Sequence, residues 1–250
     1  MSAFYRQCST DSMKKHLISY GCERYSLQRE LFRAIASNSE FFDEVTVFTP
    51  DDFDIEFAAK MKKTLTLTKG GGFWLWKPYF IKKILDSLDD GDLLIYCGAN
   101  CIVNPIGKPR FDGYIDRLAG CRTGALAFEL PHTESEYTKL EVFQHFNTSE
   151  EVIRSKQLMA TIIMLRKCEH TSLLVDEWLD TACAHPFLFT DELRTLPQDK
   201  DFIAHRYDQS IFSVLRKMHG VDIVPMREYF FDFIRECNTF PFWATSLSEP

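Results

Sequence analysis

The sequence predicts an α/β fold: a mixed, mainly parallel sheet in one domain, with helices on both faces. Three observations predict it. Short apolar runs alternate with amphipathic stretches in the first half, the connections are short, and no Pro-, Gly- or Ser-rich linker divides the 250 residues. Hydrophobic residues make up 45% and charged residues 26%, which is ample for a sizeable core in a chain of this length.

The elements follow in order. After a polar start, HLISY (16–20) reads as the first strand. Ser26 is a cap for a helix over 27–37, where Leu27, Leu31 and Ile35 recur at helical spacing. Residues 45–48 form a second strand and 52–65 a second helix, before Lys69-Gly70-Gly71-Gly72 interrupts the pattern. Pro78 suits the first turn of a third helix, whose Ile81, Ile84, Leu85 and Leu88 share one face. Asp90-Gly91-Asp92 then turns the chain into the apolar strand LLIY (93–96).

The second half is less regular. GALAFEL (124–130), ATIIML (160–165) and residues 221–224 are strand candidates. Residues 172–184 read as a helix with Trp178 on its apolar side, and another helix starts near Tyr207. The chain after residue 230 is aromatic with a polar end, a tail that either packs or frays. One domain over 1–250 is expected, with a first half at about 15–105 and a second at about 106–230.

The net charge of −7 argues against a nucleic-acid surface. Basic pairs such as Lys14 and Lys15, Lys62 and Lys63, or Lys82 and Lys83 sit among mixed charges and read as solvated faces. The eight cysteines include no CxxC, so a structural zinc site has little support and reduced thiols are expected. There is no signal-peptide pattern, and no run approaches the roughly 20 apolar residues of a membrane span. The expected location is cytoplasmic, either free or peripheral at the inner face of a membrane.

Three stretches carry the chemistry. In GGGFWLWKP (70–78) the glycines would let backbone N–H groups approach a phosphate, with Lys77 as a charge at a helix start. The pattern is not a Walker loop, and a turn with buried aromatics explains it equally. GDLLIYCGANC (91–101) is a buried strand opening into a small, polar loop. Such loops lie where ligands bind in open α/β sheets. HRYDQSIFS (205–213) sets His205, Arg206, Asp208 and Gln209 at a helix start, where helix capping by Asp208 is the plainer account of the carboxylate. A fourth group, Glu129, His132, Glu134 and Glu136, is either a set of sugar-binding or general-base carboxylates or a solvated loop. His145, His170, His185 and His219 read as surface or helix-end residues.

The order GGGFWLWKP, then GDLLIYCGANCIVN, then HRYDQSIFSVL resembles a family of GT-A-type glycosyltransferases found in bacterial polysaccharide gene clusters and some large DNA viruses. The resemblance spans roughly residues 15–225 and includes Glu136 to Lys139, Gln157 to Ala160, and Glu177-Trp178. It implies a GT-A-like, Rossmann-like fold and transfer of a sugar from a nucleoside diphosphate, UDP above all, to a glycan or lipid-linked glycan in polysaccharide synthesis. It implies donor contacts at Tyr20, Gly21, Tyr25, Lys77, Tyr96, Cys97, Gly98, Asn100, His205 and Arg206. Asp208 and Gln209 resemble the pair beneath the anomeric carbon in retaining enzymes, and Glu134 and Glu136 resemble sugar- or acceptor-side positions.

The family also implies Mn²⁺ or Mg²⁺, held by an Asp at the end of the strand after "GD". This chain has Gly98 in the place of that Asp, and Asn100 in the place of a glycine. Three readings stay open: a weakened metal site built from Asn100 with His205 or Asp208, a transfer for which metal is dispensable, or a nucleotide-sugar-binding protein with little or no transferase activity. Lys77, a long cation at a helix start, is expected to act on the donor more than on folding.

Overall fold

A computed structural model of the chain describes residues 13–225 and 237–244. The tail after residue 230 lies outside the described residues except for 237–244. The first half runs β1 (Lys15–Tyr20), α1 (Ser26–Asn38), β2 (Glu44–Phe48), α2 (Ile55–Leu65), a tight turn α3 (Gly70–Phe73), α4 (Lys77–Leu85), β3 (Leu93–Cys97), β4 (Ile102–Val103) and α5 (Lys108–Gly120). The second half runs β5 (Ala125–Thr133), α6 (Glu134–Tyr137), α7 (Leu140–Phe146), α8 (Glu150–Arg154), β6 (Lys156–Leu158), β7 (Ile162–Arg166), α9 (Glu169–Ala184), α10 (Tyr207–His219), β8 (Asp222–Val224) and β9 (Phe242–Trp243).

The main sheet has the order β2-β1-β3-β7-β5-β6, with β8 paired to β5. β1, β2, β3, β5 and β8 run one way, and β6 and β7 run the other. β4 and β9 form a separate antiparallel pair. The sheet is therefore mixed, with its parallel β2-β1-β3 part built by the regular first half of the chain and one further parallel pair, β5 with β8, in the second.

Strand alternation sorts the core into two layers. Ile18, Leu94, Tyr96, Ile163 and Leu165 point to one side, where Phe57, Phe80, Leu174, Trp178 and Phe212 come from α2, α4, α9 and α10. Trp178 stacks on Phe212 with ring centroids 3.9 Å apart, tying α9 to α10. Leu17, Leu93, Ile95, Ile162 and Met164 point to the other side, against Phe32 and Ala36 of α1 and Phe111, Tyr114, Ile115 and Leu118 of α5. Helices thus cover both faces.

Boundaries shift where capping decides them, and Ser26, expected as the cap of α1, is instead its first residue, with Tyr25 at the cap position and no side-chain cap bond. α2 starts at Ile55 because Asp54 accepts from the Phe57 N–H, while Thr49 and Asp52 close a capping box on the short turn before it. α9 begins three residues earlier than the apolar pattern shows, from a Cys168–Thr171 cap.

The triple glycine has a conformational cause. Residues 70 to 74 all have positive φ, from 56° at Phe73 and Trp74 to 99° at Gly72, so the chain makes a left-handed turn before α4. A Cβ on Gly72 would lie 2.8 Å from both the Leu65 Cα and the Thr64 carbonyl oxygen. Gly91 also has positive φ, at 100°, but opens into empty space. Gly91→Ala is expected to cost about 1–2 kcal/mol from backbone conformation alone. Gly72→Ala should cost roughly 1–3 kcal/mol more, because the backbone around Thr64 must move. Urea unfolding of the two variants measures the difference, and equal losses would show that the turn can yield.

Candidate active site

Four chain segments meet at one edge of the sheet. They are the C-terminal end of β3, the start of β7 (whose Ile162 pairs with Cys97), and the first turns of α4 and α10. Between them lies a cavity of about 200 Å³ lined by Trp74, Lys77, Tyr96, Gly98, Asn100, Ala160, Thr161 and residues 206–209. A larger, shallower cleft of about 400 Å³ lies at the opposite sheet edge, by Arg117, Cys121 and Asp222. That second cleft holds none of the residues singled out above.

The floor of the cavity is an ion pair. Lys77 Nζ donates to Asp208 Oδ2 in a short contact and to the Ala160 carbonyl oxygen at 3.0 Å, and it lies 4.9 Å from the Tyr96 ring centroid. Lys77 and Asp208 are each only 4% exposed. Burial pulls the Lys77 ammonium down and pushes the Asp208 carboxyl up, and the attraction between them opposes both shifts. Lys77 therefore has a structural role that its position at a helix start did not predict, because its partner is 131 residues away.

Gln209 is fixed beside the pair. Its Oε1 accepts from the Ala160 N–H at 3.2 Å, and its Nε2 donates to Gln157 Oε1 at 2.7 Å. Arg206 stands exposed at the rim with its guanidinium 4.6 Å from the Tyr137 ring centroid. The wall is aromatic: Trp74 stacks on Tyr207 at 5.4 Å, and Lys69 lies 4.8 Å from the Tyr207 ring centroid. Trp74 and Tyr207 escape a reading of the sequence because each looks like a core aromatic. Both carry positive φ, of 56° and 55°, which the sequence does not show.

Behind the pair, Arg216 is fully buried, and it donates to the carbonyls of Phe212, Leu158 and Met159. Its Nη1 has no partner among the described residues, and burial brings its pKa down to about 9.

Several expected site residues face elsewhere. His205 is 3% exposed, with Nε2 donating to the Leu188 carbonyl at 2.7 Å and Nδ1 accepting from the Lys139 N–H at 3.4 Å. Burial lowers its pKa to about 3, and with both ring nitrogens already bound inside the fold it has none left to join Asn100 at a metal. Glu134 is fully buried and bound by Ser213, Lys217, Thr138 and Gln157, which leaves no oxygen for a sugar. The Glu136 carboxylate closes the capping box at Thr133, accepting from its N–H at 2.6 Å.

The remaining donor-side positions lie off the cavity wall. The Cys97 thiol is buried beneath the loop, next to Cys101. Tyr20 stacks on Trp76 at 3.9 Å, one ring removed from Tyr96. The Gly21 carbonyl is bound by Arg29, and Tyr25 is exposed on the short turn before α1.

The residues present do not fit the divalent ion that the resemblance implies. Gly98 offers no carboxylate, and a Cβ built on it would lie 2.8 Å from Asn100 Oδ1. Asp208, the one acid lining the cavity among the described residues, is already bound by an ammonium. Among the described residues no group of three His, Cys, Asp or Glu side chains is placed to hold a metal. No helix among the described residues is long and apolar enough to cross a membrane.

No protein-family model and no curated sequence matches the chain. Similar solved structures include a glycosyltransferase involved in glycosylation of the major capsid of PBCV-1, at 8% identity over 85% of this chain and 80% of that one, with a TM-score of 0.46. The galactosyltransferase LgtC is similar at 14% identity over 86% and 75%, with a TM-score of 0.42. Mouse xyloside xylosyltransferase 1 is similar at 10% identity over 95% and 99%, with a TM-score of 0.47. At these values the likenesses carry nothing about chemistry.

Neutral, buried His205 has a pH consequence. Its folded pKa lies below the unfolded value near 6.5, so the unfolded chain binds the extra proton first as pH falls. Stability should fall from about pH 6.5 downward, with a share of about 1.4 kcal/mol per pH unit from His205 until the folded pKa is reached. His205→Gln should flatten the urea-midpoint slope between pH 6 and pH 5. A slope unchanged from wild type would mean that His205 titrates as it does in water.

Proposed function

We propose that the chain is a glycosyltransferase that binds a nucleoside diphosphate sugar, a UDP-sugar first, at the C-terminal ends of β1 and β3. The single observation that carries this reading is the meeting of Lys77, Asp208, Gln209 and Arg206 around one cavity at that edge. Motifs separated by more than a hundred residues in sequence line that one cavity, which supports the reading. The switch-point position supports the nucleotide, and the aromatic wall of Trp74 and Tyr207 supports a sugar ring.

The chemistry passes through an oxocarbenium-like state, so the site must stabilise a departing diphosphate and hold the sugar still. Arg206 and the positive ends of two helices stand on the diphosphate side. Gln209, with its amide orientation fixed by Ala160 and Gln157, is placed for sugar hydroxyls. Asp208 lies beneath it as a carboxylate whose position Lys77 fixes, which supports retention of anomeric configuration. The acceptor is a glycan or a lipid-linked glycan reaching the cavity past Trp74 and Tyr207.

One observation favours a second reading, a nucleotide-sugar-binding protein with little turnover. The Asp208 carboxylate is engaged by Lys77, and the family's metal-binding acid is replaced by Gly98.

Thermal unfolding against a panel of nucleotide sugars, followed by product analysis, separates the two readings. A ligand at a hundred times its Kd adds about 2.7 kcal/mol of apparent stability. For a chain of this size that is a rise of roughly 5–10 °C in Tm. Transfer or donor hydrolysis by the stabilised protein, lost in Gln209→Ala, supports the transferase. Stabilisation without turnover supports the binding protein, and no stabilisation by any nucleotide sugar rejects both.

A further inference from the structure

We infer that the diphosphate of the donor is held without a divalent cation, its charge met by Arg206 at the rim and by the buried Arg216 behind the neutral floor of the cavity. The inference rests on the nucleotide-sugar reading above and names the group that does the metal's work.

Charge balance carries it. The groups lining or directly backing the cavity are Lys77, Arg206 and Arg216 on the positive side, and Asp208 on the negative side. Lys77 and Asp208 cancel each other whichever of them holds the shared proton. Lys217 and Glu134, further along α10, form their own pair at 2.7 Å. Arg206 and Arg216 are left over. Arg216 is fully buried, hydrogen-bonds only to carbonyl oxygens and stands over the Phe212 ring, with one nitrogen unpartnered among the described residues. It feels Glu134 and Asp208 only as nearby charges that Lys217 and Lys77 already pair. A buried cation without a carboxylate is costly, so a fold that keeps one leaves the interior short of an anion.

The missing anion has a definite chemistry. The diphosphate of a nucleotide sugar carries one negative charge on each phosphate at neutral pH, which matches the two unbalanced guanidinium groups. A divalent cation placed in the same cavity would face Lys77 and Arg206, with Arg216 behind them, and among the described residues the only acid lining that space is already bound to Lys77. The N-termini of α4 and α10 add positive potential from the same side. Gly98 completes the picture. The Asn100 amide oxygen lies where a side chain at position 98 would project, so the loop is built around a neutral group.

Arg206 is the part that can bond the phosphates directly. It is exposed, lines the cavity, and among the described residues its guanidinium contacts only the Tyr137 ring. A guanidinium offers paired N–H donors to phosphate oxygens, and it supplies them to the leaving diphosphate as its charge grows.

Calorimetric titration of UDP, with GDP as a control for the base, tests the inference in two buffers, one containing EDTA and one containing Mn²⁺. UDP should bind the wild-type protein with similar affinity in both. Arg206→Gln should weaken UDP about ten- to a hundredfold in both buffers, with an unchanged melting temperature without ligand. Gly98→Asp should weaken UDP in EDTA and recover it in Mn²⁺, because an acid beside the phosphates repels them unless a cation sits between. Wild-type binding that appears only with Mn²⁺, or an Arg206→Gln affinity equal to wild type, overturns the inference and leaves the nucleotide reading standing. Failure of both UDP and GDP to bind in either buffer removes the nucleotide reading and the inference together.

Discussion

The contact between the Lys77 ammonium and the Asp208 carboxylate is the interaction on which the site depends. It joins the first turn of α4 to the first turn of α10 across 131 residues of sequence. Taking both charges out of water costs several kcal/mol per ion, and the short contact, the Ala160 carbonyl and the Tyr96 ring offset that cost. The same Ala160 offers its N–H to Gln209. One backbone residue between β6 and β7 thus holds Gln209 directly and Asp208 through Lys77.

Strain gathers around the same point. Phe73, Trp74 and Tyr207 are non-glycine residues at positive φ, each costing on the order of 1–2 kcal/mol, and all three flank the cavity. The fold accepts that cost because the left-handed turn places Trp74 against Tyr207 and lets the Trp76 indole N–H reach the Gly70 carbonyl at 2.9 Å. Tyr20, Trp76 and Tyr96 then form a chain of rings from the end of β1 to the cavity wall. Positive charge, strained backbone and aromatic surface coincide around this one cavity.

Much of this was legible in the sequence where local chemistry decides. β3 and β7 are apolar runs, and β1 is marked by Leu17 and Ile18. α4 and α10 show helical spacing with recognisable starts, whereas α1 shows the spacing but not the expected Ser26 cap. α5 was not read, although Phe111, Tyr114, Ile115 and Leu118 recur at helical spacing, because Pro109 and Gly113 break the pattern. β6 has only the residues KQL and no apolar alternation to announce it. In the site, motif order singled out Lys77, Gly98, Asn100, Arg206, Asp208 and Gln209. It could not show that Lys77 is buried, that Lys217 claims Glu134, or that the Leu188 carbonyl claims His205. Each of those facts depends on a partner at least 17 residues away, and such pairings are set by the sheet order rather than by local pattern.

A double-mutant cycle on Lys77 and Asp208, read by urea unfolding, tests the central claim most directly. Lys77→Met leaves the Asp208 carboxylate buried and unpaired, and should cost about 3–5 kcal/mol. Adding Asp208→Leu to that background should recover much of the loss, since a buried pair replaced by apolar groups of similar size is often neutral in stability. The coupling between the two sites should then be large and favourable in the wild-type chain. A Lys77→Met variant within about 0.5 kcal/mol of wild type, with additive effects in the double variant, would place the pair in water and contradict the account.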